Sequence, residues 1–134
     1  MQSSDSSDTE TAFVRYQAAA PNRNGRYPGV FALVNGLAWS GCLNAEQEHF
    51  RRRENAWYQA YLIDPGRLDP SPYDRTRHPR AEAWFKSSAT QFLARVGGYL
   101  AILDFHGVAW TRLESDDPGR ILYDDPNQVI VVPR

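Results

Sequence analysis

Residues 79–107 read PRAEAWFKSSATQFLARVGGYLAILDFHG. Within them Ala81, Trp84, Phe85, Ala89, Phe92, Leu93, Val96, Leu100 and Leu103 recur at intervals of three and four, the period of one face of an α-helix. Pro79 suits the first helical position, where a missing N–H costs nothing, and Gly107 suits the left-handed residue just past a helix end. The spacing predicts a central helix on which the rest of the chain packs. Gly97 and Gly98 lie inside it, each costing about 1 kcal/mol relative to alanine. They mark either a break in the helix or a place where a neighbour comes close.

Upstream, VFALVNGLAWS (Val30–Ser40) is mostly apolar and long enough for a buried helix of about three turns, with Gly41 placed to end it. Asn44 with Gln47 three residues later is a capping signature. Glu46 and Glu48 favour the positive end of the helix dipole. A second helix is therefore expected from Ala45 to Leu62, with Phe50, Trp57, Tyr58 and Tyr61 on one side. The short link between the two predicts an antiparallel helical hairpin. TAFVRYQ (Thr11–Gln17) reads as a strand.

Downstream, VAWTRLE (108–114), RILYD (120–124) and QVIVV (128–132) read as three strands joined by two close turns, which predicts an antiparallel meander. The unbroken run Val129–Val132 suits an interior strand covered on both faces. The four tryptophans, Trp39, Trp57, Trp84 and Trp110, are expected to share one core. The fold expected is α+β: a three- or four-stranded antiparallel sheet, the C-terminal meander plus the N-terminal strand, packed by three helices.

At 134 residues the chain suits one domain. Residues 1–10 are Ser/Asp-rich and read as a disordered acidic, polar tail. Residues 11–134 read as a single α+β domain carrying a Pro-rich loop at 64–79. The net charge of −1 argues against a polyanion binder driven by overall charge. Cys42, the one cysteine, cannot form an internal disulfide, and the polar start is unlike a secretory signal. With no run of about 18 apolar residues, these features point to the cytoplasm and to no membrane contact.

The positive charge comes from fourteen arginines against one lysine, Lys86. Arg51, Arg52 and Arg53 fan over the second helix. Arg75, Arg77 and Arg80 follow in the loop, and Tyr58 and Tyr73 are the aromatics set near them. Exposed arginine beside tyrosine is the favoured chemistry of protein interfaces. The same residues, phosphate-binding arginines with stacking aromatics, define a nucleic-acid alternative.

A third reading places His78, Lys86, Arg120 and Tyr123 around a small catalytic pocket between sheet and central helix. No phosphate loop, nucleophile elbow or CxxC pair occurs. Asp116, Asp117, Asp124 and Asp125 fall in turns at opposite ends of a strand about 17 Å long, too far apart for one metal. No metal or cofactor is expected. The leading expectation is a non-enzymatic interaction or regulatory module whose partner is another protein or a second copy of the chain. The small enzyme and the nucleic-acid binder stand behind it.

Overall fold

The computed structural model describes residues 12–64 and 78–134. The chain runs β1 (Phe13–Ala18), α1 (Val30–Trp39), α2 (Ala45–Tyr61), β2 (Glu82–Lys86), α3 (Thr90–Leu93), α4 (Gly97–Phe105), β3 (Trp110–Ser115), β4 (Arg120–Asp124) and β5 (Gln128–Val132). The class is α+β, as expected. The acidic tail at 1–10 and most of the Pro-rich loop lie outside the described residues. No described helix is long and apolar enough to cross a membrane.

Local signals set the helical hairpin. Asn44 caps α2: its side chain accepts from the Gln47 N–H while the Gln47 side chain accepts from the Asn44 N–H. α1 and α4 end alike. Gly41 and Gly107 take positive φ, 74° and 69°. The Cys42 and Val108 amides reach back to Leu37 O and Leu103 O, while the glycine amides bond Ala38 O and Asp104 O. This is the glycine-terminated helix end that only a residue without a Cβ adopts cheaply.

The predicted central helix does not form. Glu82–Lys86 is instead an interior strand, and helix resumes only as the one-turn α3 and then α4. Trp84 and Phe85 point to opposite faces, as neighbours in a strand must. Trp84 packs with Val129 and Val131, and Phe85 with the helices. Burial on both faces removes the alternation that would have marked a strand, so the apolar residues mimic a helical stripe.

The sheet has five antiparallel strands in the order β3-β1-β2-β5-β4, not three or four. Its C-terminal part is not a meander: β4 and β5 form a hairpin, but β3 pairs along all six residues of β1 at the other edge. The interior position expected for β5 is observed, with Gln128–Val131 buried. Four residues join β3 to β4. Six Cα positions span at most about 18 Å, whereas five flat strands are about 19 Å wide, so the sheet curls. Arg134, just after β5, pairs with Asp117 of that link. Phe13, Trp84, Leu113, Val129 and Val131 pack together on one face. Val14 and Tyr16 lie on the other face of β1, and Tyr16 with Phe85 contacts the cluster of α1, α2 and α4.

The tryptophans therefore do not share a core. Trp57 and Trp110 fringe the helical cluster, Trp84 belongs to the sheet cluster, and Trp39 is 85% exposed.

Candidate functional site

The arginine face of α2 is tied up in its own helix and its neighbours. Arg51 donates to both oxygens of Glu48, at 2.8 and 2.7 Å, and to Asn35 Oδ1. Arg52 donates to Glu48 Oε2 at 2.7 Å and Arg53 to Glu54 Oε2 at 3.2 Å. Hydrogen bonds from Arg51 and then Arg52 hold the Glu48 carboxyl down to about 2. Tyr58, expected among the stacking aromatics, is buried; its hydroxyl donates to Phe92 O at 2.6 Å, and burial pushes its pKa up. Tyr73, Arg75 and Arg77 lie outside the described residues. Arg80 is exposed in the turn before β2.

The four residues of the suggested catalytic pocket are not brought together. His78 precedes β2, and Lys86 ends it in an ion pair with Asp124 at 2.5 Å. Arg120 is exposed at the start of the edge strand β4, and Tyr123 donates to Asp125 Oδ2 at 2.7 Å. None of them lines either of the two cavities described below. Among the described residues no group of three or more His, Cys, Asp or Glu side chains is placed to hold a metal.

Two features absent from the sequence reading stand out. The first is aromatic. Trp39 and Phe105 are each the last residue of their helix, α1 and α4, one step before the residue that precedes the terminal glycine. They are 85% and 71% exposed. Gln47, in the first turn of α2, meets His106 Nε2 at 3.0 Å, and only Ser40–Asn44 separate α1 from α2. The ends of α1 and α4 and the start of α2 thus gather at one end of the helical layer. Trp39 and Phe105 both lie at that end, where Ser40, Gly41 and Cys42 are exposed as well.

The second is a split in the sheet. β1 pairs with β2 only at Phe13–Lys86 and Val14–Phe85. Beyond that point the incoming chain takes the edge of β1: Ala18 N–H donates to Pro28 O at 2.8 Å, and Gln17 bridges Gly29. Arg15 spans the gap. Its Nη1 donates to Ala83 O at 2.8 Å, its Nη2 to Tyr27 O at 2.9 Å and its Nε to Gln17 Oε1 at 2.8 Å. Burial lowers the Arg15 pKa and Glu82, at 3.8 Å, opposes that shift; the guanidinium stays charged.

A cavity of about 140 Å³ lies on the helix side of this split, walled by Val14, Tyr16, Val30, Phe31, Leu62 and Phe85. A wider cleft of about 340 Å³ opens on the other side, between the 22–29 turn and the start of β2. Arg15 borders both. The one hint in the sequence is an arginine in mid-strand within FVRYQA; nothing marks the split itself.

Comparison of the chain with known proteins finds no matching family model, curated protein or solved structure.

Proposed function

We propose that this chain is a protein-interaction module whose partner docks on the end of the helical layer carrying Trp39 and Phe105. The exposure of these two side chains carries the reading. Single exposed apolar residues are ordinary. Two large aromatics at the ends of neighbouring helices are the composition of an interface hot spot. Each ring offers broad contact area with only two torsions to freeze, so docking costs little entropy.

This reading keeps the interaction module expected from sequence and moves its surface. The arginines of α2 are already paired with Glu48 and Glu54, and lending them to a partner would first break those pairs. The aromatic end has no such prior engagement. Among the described residues Phe105 has a ring contact with its neighbour His106 alone, and Trp39 has none.

The test is affinity capture with the full chain, comparing wild type, Trp39→Ser/Phe105→Ser and Arg52→Glu, with light scattering for self-association. A stoichiometric partner, or a homodimer, that is lost in the aromatic double variant and kept in Arg52→Glu supports the reading. Retention of every partner by the double variant overturns it.

A further inference from the structure

The cleft in the split sheet is a second site, chemically unlike the aromatic end. Among the described residues three arginines line it from three parts of the chain: Arg15 from β1, Arg26 from the turn before α1, and Arg80 from the turn before β2. One carboxylate, Glu82, faces them. Glu82 is already committed, accepting from Trp84 Nε1 at 3.0 Å through one oxygen and lying 3.8 Å from Arg15 through the other. Among the described residues the local balance is three positive charges against one negative, in a chain whose net charge is −1.

The cations are not neutralised elsewhere. Among the described residues neither Arg26 nor Arg80 has a side-chain hydrogen bond or carboxylate partner, whereas Arg51, Arg52, Arg53, Arg95, Arg112 and Arg134 all do. The wall that carries Arg26 is preformed. Asn22 Oδ1 accepts from the Asn24 and Arg26 amides, and the Asn22 amide donates to Arg26 O at 2.8 Å. Gly29 and Ala32, at the start of α1, complete that side. The cap position is Gly29, with no side-chain hydrogen bond to the first turn and no acidic residue in it. The positive end of the helix dipole is thus left for something else to satisfy.

We propose that this cleft binds a small molecule through a phosphate group. A phosphate dianion matches the surplus of two positive charges, and its several oxygens can take donors converging from different directions. The volume, at the lower end of the range for small-ligand sites, suits a compact phosphomonoester and is far short of a nucleic-acid groove. Tyr27, 41% exposed at the rim, is placed to cover the organic part of such a ligand. Arg15 acts from below: its three backbone and side-chain bonds fix it, and its charge reaches the cleft without its having to move.

The experiment uses inorganic phosphate as probe on the full-length protein, with amide chemical shifts and calorimetry at fixed ionic strength. Saturable binding is expected, with the largest shifts at the amides of Gly25, Arg26, Gly29 and Val30. Arg26→Gln and Arg80→Gln should each weaken it by about tenfold, the loss of one charge-assisted bond. Arg52→Gln should leave it unchanged. Both tested side chains are clear of the core, and thermal melts of each variant establish that it is folded. Absence of saturable binding overturns the proposal. So does equal weakening by Arg52→Gln, or succinate competing as well as phosphate. Capture of a protein partner at Trp39 has no bearing on this outcome, and the two sites stand or fall separately.

Discussion

Glu54 and Arg95 meet in a two-point ion pair, Arg95 Nε to Glu54 Oε1 at 2.9 Å and Nη2 to Oε2 at 3.0 Å. The Arg95 guanidinium also lies over the Trp57 ring, 4.1 Å from its centroid. The pair ties α2 to the turn between α3 and α4, a contact between residues 41 positions apart in the sequence. Glu54 is buried, and Arg53 is a second donor.

Replacing Glu54 with glutamine is expected to cost about 1–3 kcal/mol at pH 7, since hydrogen bonds to charged groups are the stronger kind. The pH dependence has a definite sign. Hydrogen bonding from Arg95 chiefly, with Arg53, holds the Glu54 carboxyl below its ordinary value against an opposing desolvation. Its contribution is therefore present above the unfolded carboxyl pKa of about 4.3 and is lost as pH falls through the folded value. Urea midpoints of wild type and Glu54→Gln, measured from pH 7 to pH 3, should converge at the acid end. A gap that stays constant would show that the charge contributes nothing.

Gly98 is required for a different reason. A Cβ built there would lie 2.1 Å from Phe50 Cζ and 2.4 Å from Cε1. The ring has nowhere easy to go: Tyr99 meets it edge-on at 5.4 Å, and Arg53 sits 5.4 Å from its centroid. Gly98→Ala gains up to about 1 kcal/mol of helix propensity but suffers overpacking of about 1–3 kcal/mol. A net destabilisation by thermal melting is expected, partly relieved when Phe50→Leu is added. Equal losses in the single and double variants would place the cost elsewhere.

Much of the fold is legible in the sequence where the controlling interactions are local. The Asn44–Gln47 cap, the glycine-ended helices at Gly41 and Gly107, and the apolar run of β5 all depend on residues a few positions apart. The errors fall where the partner is distant. Glu82–Lys86 becomes a strand because β1 and β5 lie on either side of it, and no periodicity within 79–107 records that. The same distance hides the placement of β3 beside β1. Trp39 misleads in the opposite sense: its hydrophobicity predicts burial, and only the geometry of the α1 terminus turns it outward. The candidate sites were less legible than the fold. Arg26, Arg80 and Arg15 are 65 positions apart at the extremes, and only the split between β1 and β2 gathers them.

The cap of α2 serves two elements at once. Gln47 Oε1 receives the Asn44 amide at 3.0 Å and meets His106 Nε2 at the same distance. Asn44→Ala removes only the cap and is expected to cost about 1 kcal/mol. Gln47→Ala also loses the link to the end of α4, so it should cost more and loosen His106. Hydrogen exchange at the Gly107 and Val108 amides reports the difference. Faster exchange there in Gln47→Ala, but not in Asn44→Ala, is the expected pattern.

Trp39 and Phe105 allow a last prediction that separates an interaction surface from a structural role. If their exposure is the free state of a docking face, truncating them removes no interior contact. Trp39→Ser and Phe105→Ser should then each change stability by no more than about 0.5 kcal/mol, the range of ordinary surface substitutions. Trp84→Ala and Phe92→Ala remove side chains 5% and 0% exposed and should cost about 3–5 kcal/mol each. Urea denaturation of the four variants makes the comparison. A loss of 2 kcal/mol or more at Trp39 or Phe105 would mean that these rings support the helix ends in solution. The two aromatics would then have a structural reason to be there, and the proposed docking surface would lose its support.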